Sequence, residues 1–410
     1  STNLGELVFF RILQGLCGGG LISTGQAIMR DTFPANEIGK SQALVSLGAV
    51  VGPSIGPTLG GILTDALSWN WIFYINIVPG VASAILCWML LRNPPRRGKP
   101  SVDGIGLGLL ALGLGSLQYV LDEGERNDWF GDPLIRTLAL TAIGGLVAFA
   151  YWELRIAKHP IVDLRILGNR TVASGCLLAM VLAFSLFGGV ILAPQFQQSL
   201  LNFTATLSGE SILMRALAIA AMTPVTLILL NRLHVQPRIL LGIGFVLIAI
   251  ANYLNATVIT TNSNFSTFVF VLVLGGLGFG MLFVPLSVTV LMSVHGADTQ
   301  KATSLLSLCQ QLGGSISTAT LVTLLDRRSA LHLDRLASEI TLHREAVSLY
   351  LQHHAPIERL ATLVQQQALT MAFADAFVFL AVVTIVLTPL VVLLRPPKQT
   401  GGPPAAMPAE

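Results

Sequence analysis

Eleven apolar stretches, each long enough to carry an α-helix across about 30 Å of hydrocarbon, set the terms on which this chain can fold. They cover residues 4–29, 42–65, 70–91, 103–122, 132–154, 171–195, 205–230, 237–258, 265–292, 300–325 and 369–394. Inside a bilayer every backbone N–H and C=O must be satisfied by protein, and segments of this length meet that need as helices. Continuous apolar runs of this length, without alternation, indicate helices. The expected fold is therefore all-α, a polytopic membrane protein. Charged residues make up 11% of the chain, against roughly 25% in a soluble domain. The net charge of +3 is spread over short loops and leaves no nucleic-acid footprint. Cys17, Cys87, Cys176 and Cys309 lie within apolar runs, with no CxxC spacing, and are read as packing residues.

Basic residues alternate between successive loops. Arg30 and Lys40 are followed by a loop without Lys or Arg, then by Arg92, Arg96, Arg97 and Lys99, an acidic loop, and Arg155, Lys158, Arg165 and Arg170. Arg232 and Arg238, Lys301, and finally Arg395 and Lys398 continue the series. The positive-inside rule then runs the first span from outside to inside and leaves the C-terminus cytoplasmic. The long outer loop 326–368 carries five arginines, but long loops translocate largely regardless of charge. Leu331, Leu333, Leu336 and Ile340 there suggest one or two short amphipathic helices, and His332, His343, His353 and His354 are read as solvated. The Pro- and Gly-rich tail 395–410 is expected to be disordered.

A shift of 261 positions lays Lys40, Leu44, Ser46, Leu47 and Gly52 on Lys301, Leu305, Ser307, Leu308 and Gly313, and Gly15 and Gly19 on Gly276 and Gly280. One offset serving two consecutive spans indicates parallel halves of like topology, as in transporters. The organisation read from this is 1–91 as the remainder of an N-terminal half, 92–170 as a linker with two inserted spans, and 171–394 as a six-helix half. Three helices precede the repeated pair in the second half and none in the first. The expectation is that about ninety residues are missing before Ser1 and that a complete protein has fourteen spans, eleven of them present here. Under the same shift Arg11 meets Leu272, while Pro53 and Pro57 meet Gly314 and Thr318, so these three belong to one half alone.

Glycines 48, 52, 56 and 60 recur every fourth residue and form one ribbon nearly free of side chains on a helix. Pro53 and Pro57 each remove an intrahelical hydrogen bond, and Gly61 doubles the last glycine. Two readings stand at this point: a close-packing face of the GxxxG kind, or a functional device that needs the prolines.

Here the residues carry a resemblance. Phe10-Arg11-Ile12-Leu13-Gln14-Gly15 with Gly18-Gly19-Gly20 resembles the fourth-helix motif of the major facilitator superfamily, and Gly48 to Gly61 resembles the antiporter motif of its fifth helix. Trp69 to Pro79 and Leu117 to Trp129 are similar to the fourteen-helix drug:proton antiporters of the EmrB/QacA type. Asn70 departs from the basic residue often found there, and the first-helix acidic motif and the loop motif between the second and third helices are absent. A degenerate counterpart of that loop survives at Asn231-Arg232-Leu233 with Arg238.

The resemblance implies that inward proton flow drives hydrophobic or cationic compounds outward across a bacterial inner membrane, with no cofactor beyond the proton gradient. It implies that Arg11, with Gln14 in the same motif, tunes a carboxylate on the first helix. It implies that Gly48, Gly52, Pro53, Gly56, Pro57, Gly60 and Gly61 seal the two halves against proton leak. It also implies a periplasmic adaptor and an outer-membrane channel as partners. On the residues alone, Arg11 alternatively snorkels to the outer interface. Arg215 and Asp375 are candidate cavity residues: Arg215 is read either as a cavity group or as a structural partner, with Glu210 within reach, and Asp375 either as a helix-dipole cap or as a proton site. The alternatives to efflux are a metabolite or nutrient porter of the same fold and a non-transporting membrane subunit. No nucleophile, base and orienting group stand at a spacing that suggests an enzyme, and no metal-ligand spacing appears.

Overall fold

The computed structural model describes residues 3–34, 37–91, 103–157, 162–258, 265–294, 298–340 and 357–394, with the single positions 160, 260 and 347. The described residues form α-helices and short 3-10 turns, with no strand among them. The first half contributes α1 (Leu4–Gly18), α2 (Leu21–Thr32), α3 (Ile38–Ala66), α4 (Trp71–Tyr74) and α5 (Ile77–Leu90). A hairpin of α6 (Gly104–Glu123) and α7 (Pro133–Arg155) follows. The remainder is α8 (Arg170–Ser199), α9 (Ala205–Asn231), α10 (Pro237–Val258), α11 (Phe265–Gly280), α12 (Phe283–Leu291), α13 (Asp298–Glu339) and α14 (Ile357–Leu387). Each of the eleven expected spans falls on helix, and eight helical segments among the described residues are long and apolar enough to cross a membrane. The histidines 343, 353 and 354 and the tail lie outside the described residues.

Short polar residues set the helix starts. Asp132 accepts from the amides of Leu134 and Ile135 with Pro133 at the first helical position, Asn169 accepts from Thr171, and Thr204 accepts from Leu207. Asp103 caps α6 through the Gly106 amide and also accepts from the Trp152 indole at 2.7 Å, which ties the start of α6 to the end of α7.

The offset of 261 reappears in the helix boundaries. The α1–α2 break at Gly19 and Gly20 maps onto residues 280 and 281, where α11 gives way to α12, and the α3 start at Ile38 maps one residue past the α13 start at Asp298. Even the ion pairs at the helix starts correspond: Lys40 meets Glu37 at 2.6 Å, and Lys301 meets Asp298 at 2.9 Å. Lys301 also reaches Asp163 at 2.9 Å in the segment after α7. Partial burial works against charge on Asp163, but the Lys301 ammonium and the Arg165 amide outweigh it and hold the carboxyl below its usual range.

Residues 171–394 build the core. In it α8 runs along α13, α9 along α11, α10 along α11 and α14, and α13 along α14. One apolar cluster centres on Leu178, Leu182, Phe245 and Leu282, and a second stacks Phe196 against Phe268 and Phe373 with ring centroids 5.6 and 5.4 Å apart. Buried hydroxyls stitch helices together: Ser317 donates to the Phe184 carbonyl at 2.7 Å, and Ser185 meets Thr384 at 2.7 Å. The first half touches this bundle chiefly through α3, which lies against α9 and α12.

Two expectations for the outer loop need correction. Leu331, Leu333 and Leu336 lie on the continuation of α13, which runs unbroken to Glu339, and not on separate short helices. Asp326, Arg327 and Arg328 end the apolar run, but charge ends only the stretch that suits hydrocarbon, and the helix goes on beyond it. His332 is buried, not solvated.

Repeat-related glycines meet unlike surroundings. A Cβ on Gly313 would stand 2.3 Å from the Met180 carbonyl oxygen, whereas one on Gly52 would meet nothing within 4 Å among the described residues. Gly313→Ala is therefore expected to destabilise the purified protein in detergent by about 1–3 kcal/mol, and Gly52→Ala, on an open helical face, to stabilise it by up to about 1 kcal/mol. Equal effects of the two would show that the α8–α13 contact does not require the glycine. Asp163→Asn should lower stability by roughly 0.2–1 kcal/mol at neutral pH. Its depressed pKa places that contribution above the ordinary carboxylate range, near 3.9, with loss on acidification, so the wild-type and variant unfolding curves should converge at low pH.

Candidate functional site

The residues singled out in the sequence fall into four separate places. Arg11 and Gln14 share a face of α1, where the Arg11 guanidinium donates to the Gln14 side-chain oxygen at 3.2 Å and lies 4.7 Å from the centre of the Phe73 ring. A guanidinium over an aromatic face is held by the ring quadrupole. With Phe10, Trp69 and Tyr74 these groups line a half-open cleft of about 290 Å3. Its polar side chains are donors or neutral amides set in aromatic walls, an arrangement suited to a lipophilic molecule with an acceptor or a negative charge.

The glycine ribbon runs along α3. Gly48, Gly52 and Gly56 are exposed, and a Cβ on any of Gly48, Gly52, Gly56 or Gly60 would meet nothing within 4 Å among the described residues. The tight contact is one position on: a Cβ at Gly61 would come 2.9 Å from that of Ala205, at the start of α9. Gly61 lets α3 and α9 meet at this end, while the four-residue ribbon points elsewhere. The backbone at 53 and 57 remains α-helical.

Arg215 sits in α9 with 3% exposure, inside the 171–394 bundle. Glu210 is exposed, and no ion pair joins it to Arg215 among the described residues. Asn252 and Asn255, three apart on α10, line the same small cavity as Arg215. Sequence reading passed over both, although a polar pair at i and i+3 in an apolar run puts two amides on one helix face.

Asp375 does not line that cavity. It lies about five turns into α14, far beyond the first turn in which a helix dipole acts, so the cap reading does not hold. Its carboxylate instead meets His332 Nε2 at 2.9 Å and Arg328 Nε at 3.6 Å, both from the extension of α13. This cluster joins the last turns of α13 to the middle of α14. No group of three or more His, Cys, Asp and Glu able to hold a metal occurs among the described residues.

The profile of the Major Facilitator Superfamily matches residues 1–318. The multidrug export protein EmrB of Escherichia coli K12 is 28% identical over 411 residues, 98% of this chain and 80% of that protein. The fatty acid resistance protein FarB of Neisseria gonorrhoeae is 32% identical over 415 residues, with the same coverage. The colistin resistance protein EmrB of Acinetobacter baumannii is 26% identical over 92% of this chain and 73% of that protein. A solved structure of a bacterial homologue of the human lysosomal transporter Spinster aligns with a TM-score of 0.49 and 16% identity, over 90% of this chain and 72% of that one.

A double-mutant cycle with His332→Ala and Asp375→Asn should give a coupling energy of about 0.5–1 kcal/mol in detergent unfolding. Additive single effects would show that the contact contributes nothing to holding α13 on α14.

Proposed function

Because the chain belongs to the Major Facilitator Superfamily, we propose that it is an exporter of hydrophobic toxic compounds across a bacterial inner membrane, driven by inward proton flow. The observation that carries this reading is similarity along nearly the whole chain to proteins named for multidrug export and for fatty acid resistance. Support also comes from α3, whose glycines and prolines sit in the helix that leads the first half onto α9. Gly61 makes the close contact with α9, and the ribbon at 48, 52, 56 and 60 leaves the adjoining face of α3 poor in side chains, open to a further helix that slides along it during rocking.

Arg11 and Gln14 take the coupling role in this reading, with Arg11 as the positive partner of a carboxylate that changes protonation through the cycle. The C-terminus lies on the cytoplasmic side, next to Arg395 and Lys398. The helical extensions 327–339 and 357–368 then project outward, where a periplasmic adaptor would engage them.

A specific observation bears on the substrate. The one charged side chain lining the larger cleft among the described residues is Arg11. This favours uncharged and anionic lipophiles over cations, and the name of the FarB relative points the same way.

Inverted membrane vesicles, acidified inside by respiration, test the reading. Addition of lipophilic cations, uncharged antibiotics and a medium-chain fatty acid should collapse the pH gradient for some compounds, and Arg11→Ala should abolish the response while insertion is retained. A protein that inserts but answers no compound would instead be a narrow metabolite porter or a non-transporting subunit. Undiminished coupling in Arg11→Ala would remove Arg11 from the mechanism.

A further inference from the structure

Among the described residues of 171–394, Arg215 is the most deeply buried charged side chain, and no ion pair there neutralises it. Its Nε and Nη2 have no hydrogen-bond partner among the described residues and no contact with solvent. Nη1 lies over Gly189, where a Cβ would come within 2.9 Å of it, so the guanidinium occupies space that this glycine leaves open. The Phe279 ring is 5.9 Å from the guanidinium carbon, a weak attraction at the margin of such contacts. A buried charge costs several kcal/mol unless a counter-charge and hydrogen bonds offset it.

The cavity beside Arg215 supplies the place for a counter-charge. It is enclosed by α8, α9, α10, α11 and α14, so it lies within the bundle and apart from the Arg11 cleft. Asn252 and Asn255 both line it, and the Asn252 Nδ2 and the Asn255 Oδ1 are buried with no hydrogen-bond partner among the described residues. An amide of this kind offers its NH2 after a flip. Ser185 also lines the cavity, but Thr384 gives its proton to the Leu380 carbonyl, so the Ser185 hydroxyl is committed as donor to Thr384. The cavity volume is about 20 Å3. One water needs roughly 10–15 Å3 on that measure. The space therefore suits a ligand of one or two heavy atoms, and the remaining walls, Leu272 and Phe377 among them, are apolar.

We propose that this pocket binds a single small inorganic anion of halide size, held by Arg215 Nε and Nη2 with Asn252 Nδ2, as the resident counter-ion of the C-terminal bundle. Unpartnered buried N–H donors on two lining residues, one formal positive charge, no carboxylate in the lining and a volume too small for a drug or a fatty acid chain all select this class. Water alone satisfies hydrogen bonds but leaves the charge. Sulfate and phosphate exceed the space.

Unfolding of the full chain, purified in detergent, is the test, with chloride exchanged for gluconate at constant ionic strength. The unfolding midpoint should rise and saturate with chloride, as for any ligand that binds the folded state alone. Bromide should substitute, and sulfate should not. Chloride-35 line broadening should report the same site by displacement with bromide. Arg215→Gln should abolish both signals. Asn252→Ala keeps the charge and removes one donor, so it should raise the half-saturating chloride about tenfold; it decides the matter if Arg215→Gln does not fold. A wild-type midpoint indifferent to halide, a halide response that survives in Arg215→Gln, or stabilisation by decanoate in place of chloride would overturn the assignment.

Discussion

Helix backbones in the second half come together where glycine removes the side chain between them, and most of the remaining geometry follows from that closeness. A Cβ on Gly276 would lie 2.5 Å from the Arg215 carbonyl, one on Gly244 would lie 2.9 Å from that of Gly278, and one on Gly313 would strike Met180. In lipid no hydrophobic force draws helices together, because the tails are as apolar as leucine; packing and hydrogen bonds must do so. Each glycine lets a neighbour approach until dispersion contacts and buried hydroxyl bonds form. The glycine contact of α11 on α9 also fixes the backbone from which Arg215 projects, so packing decides where the buried charge lies.

That placement explains why charge and scaffold are hard to separate in this protein. Arg215 needs the space above Gly189, the amides of α10 and the wall of α11 at the same time. Each is supplied by a different helix, and α14 closes the pocket with Phe377. The Asp375 cluster works by another logic. It lies between the last turns of α13 and the middle of α14, is partly open to solvent, and ties two long helices together beyond the glycine contacts of α13.

Much of the fold could be read from residues because hydrocarbon imposes a length, and polar caps mark where each helix starts. The spans at 205–230 and 237–258 agree with α9 and α10 almost to the residue. Reading failed where a helix outlasts its apolar run, as α13 does by continuing past Arg328 to Glu339. It failed at Asp375 for the same reason: a span judged to begin at residue 369 made the aspartate an N-terminal residue, although α14 begins at Ile357. Arg215 stood out as a charge in an apolar run. Its setting did not, because Asn252, Gly189 and Phe377 are far from it in sequence, and tertiary packing alone brings them together.

The two halves use one repeat for different ends. Gly276 and Gly313 are filled against neighbouring helices, whereas a Cβ at their counterparts Gly15 and Gly52 would meet nothing within 4 Å among the described residues. A glycine pressed against a backbone is a structural requirement. A glycine on an open face costs helix propensity, about 1 kcal/mol relative to alanine, without a packing return from those residues. The ribbon at 48, 52, 56 and 60 repeats that cost four times on one face, and Pro53 and Pro57 add to it. The same repeat thus supplies close packing in one half and, along α3, a face that the described residues leave open.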